Sequence, residues 1–122
     1  MTERENMLSG LLYDPSDPEL SRRRDVARNL AAAFNRTTEE EKETRQKILK
    51  QLLGSLGEWT ELYPNVQFDY GCNTYLGNRC YVNFNSTFLD CAEIRLGDDV
   101  FVGPNAVSYT PLRAHETRHD LV

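Results

Sequence analysis

No run of apolar residues in the sequence approaches the ~20 needed to cross a bilayer as a helix. Nor does the opening segment, Met1 to Asn6, turn apolar as a secretory leader would. The expectation is therefore a cytoplasmic protein. An excess of positive charge is also missing, since 14 lysines and arginines face 19 aspartates and glutamates, for a net charge of −5. Such a balance offers no broad basic face to phosphates, so neither nucleic acid nor a membrane is an expected partner. Cysteine is scarce and odd in number: Cys72, Cys80 and Cys91 form no C-x-x-C pair, which supports neither a zinc site nor a disulfide framework. Their main reading is as small buried hydrophobes, with a nucleophilic role the lesser alternative because no histidine lies close by in sequence. Histidine itself occurs only as His115 and His119. At 122 residues the chain has room for one domain with a small appendage, not for a second catalytic domain.

What is present divides into two halves with different periods. Met7, Leu8, Leu11 and Leu12 form a short apolar patch, ended by Gly10 and the turn-forming Asp14-Pro15-Ser16. Asp17 can then cap, and Pro18 can open, a helix whose first N–H groups have no partner within it. Leu20, Ala27, Leu30, Ala31 and Phe34 fall at helical spacing, which predicts a helix over Pro18–Phe34. Thr38-Glu39-Glu40-Glu41 has the form of a capping box, predicting a second helix from Glu39 to Leu53 with Ile48, Leu49, Leu52 and Leu53 inward and Gly54 as its stop. This helix pair reads either as a solvated hairpin packed on the remainder or as a lid over a binding site.

From Tyr70 the period changes. Tyr70, Leu76, Val82, Phe88, Ile94, Val100, Ala106 and Leu112 recur every sixth residue. A six-residue period predicts a parallel β-helix, with one flat face per hexad and three faces to a coil of about eighteen residues. The apolar side chains would point inward, while Gly77, Asn83, Asn85, Gly97, Asp98, Gly103 and Asn105 turn the corners. An antiparallel sheet is the competing arrangement, but a series of hairpins would not keep one apolar register through consecutive hexads.

These segments resemble a known family. Phe68-Asp69-Tyr70-Gly71, Leu76-Gly77, Tyr81-Val82-Asn83-Phe84-Asn85, Phe88-Leu89-Asp90, Ile94-Arg95-Leu96-Gly97-Asp98 and Val102-Gly103-Pro104-Asn105 are similar to the maltose and galactoside O-acetyltransferases of the hexapeptide-repeat superfamily. The opening, from Thr2-Glu3-Arg4 through Leu11-Leu12-Tyr13-Asp14 and on through both helices, resembles the N-terminal domain of the maltose enzymes. The resemblance implies an α+β chain: a helical domain with two main helices over residues 1–58, then a left-handed parallel β-helix over 59–122 that is incomplete. It also implies transfer of an acetyl group from acetyl-CoA to a sugar hydroxyl, without a metal, in a homotrimer whose active sites lie between neighbouring β-helices. Asp14, Asp69, Tyr81 and Asn83 match acceptor-side positions, and Asp90 lies beside the next acidic one. Carboxylates and amides suit a ligand made of hydroxyls, and a ring can cover its apolar face.

Acyl transfer to an alcohol needs a base to remove the hydroxyl proton, usually histidine. In the family that histidine sits in a Tyr-Thr-x-x-His-Pro segment. The corresponding stretch here is Tyr109-Thr110-Pro111-Leu112-Arg113-Ala114-His115, so ungapped counting brings Arg113 to the catalytic place and a two-residue bulge brings His115. Arginine stays protonated and cannot serve. His115 is the preferred base and His119 the second choice. Two functions therefore stand side by side, an active sugar O-acetyltransferase and a catalytically inactive, truncated binding or assembly module of the same fold.

Overall fold

The computed structural model describes residues 1–109. Three helices, α1 (Glu3–Leu8), α2 (Pro18–Asn35) and α3 (Lys42–Leu52), precede nine short strands. The strands are β1 (Ser55–Leu56), β2 (Glu61–Leu62), β3 (Val66–Phe68), β4 (Thr74–Leu76), β5 (Tyr81–Val82), β6 (Ser86–Leu89), β7 (Ile94–Leu96), β8 (Phe101–Val102) and β9 (Val107–Tyr109).

α2 begins where expected, with the Asp17 carboxylate accepting from the N–H groups of Glu19 and Leu20 and with Pro18 in the first turn. Two expectations for the helical part are corrected. α1 is a third helix, nucleated by a reciprocal capping box between Thr2 and Glu5. Its one buried side chain is Met7, whereas Leu11 and Leu12 are exposed. α3 starts at Lys42 rather than Glu39, because the Thr38–Glu41 box closes on itself ahead of the helix. The Thr38 N–H donates to Glu41 Oε1 at 2.8 Å and the Glu41 N–H to the Thr38 carbonyl at 3.0 Å, forming a turn.

All strand pairs are parallel, and the chain visits three sheets in rotation, in the orders β1-β4-β7, β2-β5-β8 and β3-β6-β9. The apolar register therefore does wind around a three-sided coil. The coil length, however, is twenty residues rather than eighteen: Ser55 lies opposite Tyr75, Glu61 opposite Tyr81, and Val66 opposite Ser86. Inward side chains stack as Leu56-Leu76-Leu96, Leu62-Val82-Val102 and Phe68-Phe88. The Phe68 and Phe88 rings lie 5.0 Å apart and nearly parallel, at 10°. The surplus sits where β3 leads to β4 and β6 leads to β7, for Phe68 to Leu76 and Phe88 to Leu96 are each eight residues while the other faces take six. Side chains alternate along a strand, so a shift of two keeps the same face inward and the six-residue series survives the longer corner. Towards its end the series thins, and Val100 and Ala106 are only half-buried.

The helices close the open end of this prism. Ala27, Ala31 and Phe34 of α2 and Leu49, Leu52 and Leu53 in and after α3 share one apolar cluster with Leu62, Val66, Phe68, Leu76, Val82 and Phe88. Asn35 completes the closure by standing in for a missing strand. Its side-chain amide donates to the Val66 carbonyl at 3.0 Å and accepts from the Val66 N–H at 2.9 Å, satisfying edge groups that would otherwise lie unpaired beside the core.

Candidate functional site

The long corner after β3 and β6 is where the N-terminal segment docks. Met7, Leu20 and Tyr70 form a second apolar cluster there, with Leu8, Tyr13, Cys72 and Cys91 packed against it. Asp69 emerges at the end of β3 with its carboxylate partly open to solvent. Arg28 of α2 lies 3.7 Å from Asp69 Oδ1, and the Cys91 thiol donates to Asp69 Oδ2 at 3.6 Å. Tyr13 in turn bonds to Cys91, and burial first, then this bond, pushes the Tyr13 phenol up to about 12. Burial likewise raises the Cys91 thiol. Both groups therefore remain protonated near neutral pH and act as hydrogen-bonding neighbours of the Asp69 carboxylate. Arg24 stays on this side as well, donating to the Tyr70 hydroxyl at 2.7 Å.

Asp14 follows Tyr13 and is exposed. Hydrogen bonds from the Ser16 hydroxyl and N–H hold its carboxyl below the usual range, so it presents a stable negative charge. Its backbone N–H donates to Glu3 of α1, which ties the loop to the first helix. Asp90 sits one coil on from Tyr70 and is fully buried. Its Oδ1 accepts from the Tyr70 N–H at 2.8 Å, its Oδ2 from the Thr74 hydroxyl at 2.9 Å, and its carbonyl from the Asn73 amide at 2.9 Å. In this chain Asp90 binds two coils together beneath Asp69.

Tyr81 and Asn83 lie elsewhere on the coil. Tyr81 points out from β5 in a ladder of rings, 5.3 Å from Tyr63 and 5.2 Å from Phe101. Asn83 occupies the corner after β5, where its Oδ1 accepts from the Phe84 N–H and Asn85 takes a left-handed φ of 62°. The structure thus brings Asp69 and Asp90 to one corner, with Asp14 following Tyr13 of the segment that packs there, and leaves Tyr81 and Asn83 elsewhere on the coil. Tyr13, Arg28 and Cys91 are additions to the sequence-derived set. Arg113, His115 and His119 lie outside the described residues.

Among the described residues, no three His, Cys, Asp or Glu side chains are grouped to hold a metal ion, and no helix is long and apolar enough to cross a membrane.

Burial raises the Asp90 pKa above its ordinary 3.8, so the folded chain holds that proton more tightly than the unfolded chain does. The stability this contributes is full below about pH 4 and is lost as pH rises through the folded pKa. Asparagine does not titrate. Stability of Asp90→Asn relative to the parent, measured by urea unfolding, should therefore improve from pH 4 to pH 7; a difference independent of pH would show that Asp90 is not burdened by burial.

Comparison with known proteins agrees with this architecture. Residues 6–57 match the maltose acetyltransferase hexapeptide capping motif. An acetyltransferase-like protein of Dictyostelium discoideum is 44% identical over 110 residues, which is 90% of this chain and 57% of that protein. The maltose O-acetyltransferase of Clostridium difficile 630 is 40% identical with a TM-score of 0.88, covering 93% of this chain and 63% of that one. A galactoside acetyltransferase in complex with coenzyme A is 30% identical with a TM-score of 0.84, covering 98% and 61%. Over these shared residues the chain is similar to the maltose and galactoside O-acetyltransferases of the hexapeptide-repeat proteins. It spans about three-fifths of the length of the relatives it matches.

Proposed function

We propose that this chain forms the acceptor side of a sugar O-acetyltransferase that uses acetyl-CoA as acetyl donor, in a left-handed parallel β-helix with the helical domain at its head. The observation that carries this is the carboxylate corner. Asp14 offers an exposed carboxylate and Asp69 a partly exposed one, with Arg28 beside Asp69 and the Cys91 thiol donating to it, a set suited to fixing the hydroxyls of a neutral sugar. Asp90 acts from beneath by holding the Tyr70 backbone next to Asp69.

Tyr81 and Asn83 take part from the neighbouring subunit of a homotrimer. Their separation from the Asp69 corner within one chain supports this, as does the apolar outer surface around them, where Tyr81, Phe84, Leu89, Phe101 and Val107 are exposed. Acetyl-CoA supplies an activated thioester. The sugar hydroxyl gives its proton to His115 as its oxygen attacks the carbonyl carbon; the C–S bond breaks, and the leaving CoA sulfur takes that proton from His115. The alternative, an inactive binding or assembly module, rests on Arg113 standing at the catalytic place in ungapped counting. CoA release from acetyl-CoA, measured with glucose, maltose and a galactoside as acceptors, decides between them. Acceptor-dependent release supports the transferase, and sugar binding without release supports the module.

A further inference from the structure

Three coils stack one corner at twenty-residue intervals, Gly57-Glu58-Trp59-Thr60, Gly77-Asn78-Arg79-Cys80 and Gly97-Asp98-Asp99-Val100. The third residue of each takes a left-handed backbone, with φ of 62° at Trp59, 55° at Arg79 and 60° at Asp99. Aspartate tolerates that conformation, and Arg79 spends its side chain on a two-pronged pair with Asp99, at 2.7 and 3.2 Å. A bulky tryptophan is poorly suited to it, and burial does not account for the choice because Trp59 is 82% exposed.

Its backbone is nevertheless held firmly. The Glu58 N–H donates to Asn78 Oδ1 at 2.8 Å, the Glu58 carbonyl accepts from the Arg79 N–H at 2.8 Å, and the buried Thr60 hydroxyl accepts from the Cys80 N–H at 3.0 Å. The result is an exposed ring on a rigid mount, so little backbone freedom is lost when a ligand covers it. Beside it lies an open cleft of about 260 Å³ between α3 and β2. Leu49 and Leu62 line its apolar part, while Gln46, Glu61 and Tyr63 bring an amide, a carboxylate and a phenol.

The charges bordering this cleft are already paired. Arg45 is committed to Thr37 and Glu39, Lys42 lies 3.8 Å from Glu39, and Glu61 accepts from the Tyr63 hydroxyl at 2.9 Å. The guanidinium of Arg45 is taken up by Glu39, and the carboxylates of Glu39 and Glu61 disfavour an anionic ligand. A flat ligand with an apolar face and a rim of hydroxyls matches a ring backed by an amide, a carboxylate and a phenol.

We propose that Trp59 and the adjoining cleft between α3 and β2 form a saccharide-binding subsite separate from the Asp69 corner. The ligand class deepens the sugar-acceptor proposal above, and the test distinguishes the two.

Trp59 is the single tryptophan of the chain, so its emission reports on this corner directly. The full chain is titrated with maltotriose and lactose, with sorbitol and adenosine as controls. Expected is a saturable emission change with half-saturation in the millimolar range for a saccharide, and no comparable change with either control. By calorimetry, Trp59→Ala should weaken the same saccharide about tenfold, a size usual for an aromatic anchor. Should that variant fold poorly, Glu61→Gln should weaken it severalfold. The proposal is overturned if the saccharides move the emission no more than sorbitol does, if adenosine moves it more, or if calorimetry finds the variants unchanged. Acceptor-dependent CoA release with silent emission leaves the transferase standing and removes the subsite; a saccharide-dependent emission change without turnover does the reverse.

Discussion

Replacing Phe88 by alanine is expected to destabilise the fold by about 3–5 kcal/mol, the usual cost of emptying a fully buried aromatic site. Phe88 is 1% exposed, its ring stacks on Phe68 of the coil before, and it belongs to the cluster that also holds Phe34 and Leu49. Removing it opens a void where two coils and the helical cover meet, and rigid parallel sheets on three sides leave little scope for collapse. For a chain of this size the midpoint of thermal unfolding should drop by on the order of 10–20 °C. Leu12→Ala is the control, since Leu12 is 98% exposed and its loss should stay within about 0.5 kcal/mol. Equal losses for the two variants would mean that the six-residue series does not line the interior.

The second large effect concerns the proposed base. His115→Ala should lower kcat for acetyl transfer by about 10²–10⁴-fold, with the KM for sugar changed little, because proton removal is needed during the attack and not for binding. In the parent the rate should fall as acidification protonates the imidazole, which can then no longer accept the sugar's proton. His119→Ala should leave turnover at the parent level. If His115→Ala leaves kcat unchanged, His115 is not the base; if the parent itself releases no CoA, the inactive-module alternative gains.

Local signals were the most legible part of the sequence. Asp17-Pro18 announces α2 because cap and first turn are neighbours in the chain, and the apolar stripe through Ala27, Ala31 and Phe34 follows from helical spacing alone. α1 carries its capping box in plain view at Thr2 and Glu5, but with one buried side chain its apolar pattern is too thin to announce a helix. The parallel coil was legible from its period, whereas its length was concealed by strand geometry. Two added residues per turn preserve the alternation of faces, so only the pairing of Ser55 with Tyr75 and its equivalents exposes them.

That concealed addition matters for the site. The long corner holds Asp69, Asp90 and Cys91, and the partners of Asp90, the Tyr70 N–H and the Thr74 hydroxyl, belong to the preceding coil. A reader counting in eighteens would not place them together. Tyr13 and Cys91 meet only because the N-terminal segment folds back onto that corner, an arrangement no local pattern encodes. Asp69 and Asn83 could be named as candidates from sequence motifs, but their placement at different corners required the fold.

The placement of Asp69 and Asn83 can be tested by subunit mixing. Asp69→Asn and Asn83→Ala are each prepared alone, then denatured together in equal amounts, refolded, and assayed for acetyl transfer. In a cyclic trimer with a site shared between neighbours, random mixing leaves about a quarter of the interfaces with both native side chains, so activity should return to about a quarter of the parent level. A mixture no more active than the two variants alone would contradict a shared site and return all the acceptor contacts to a single chain.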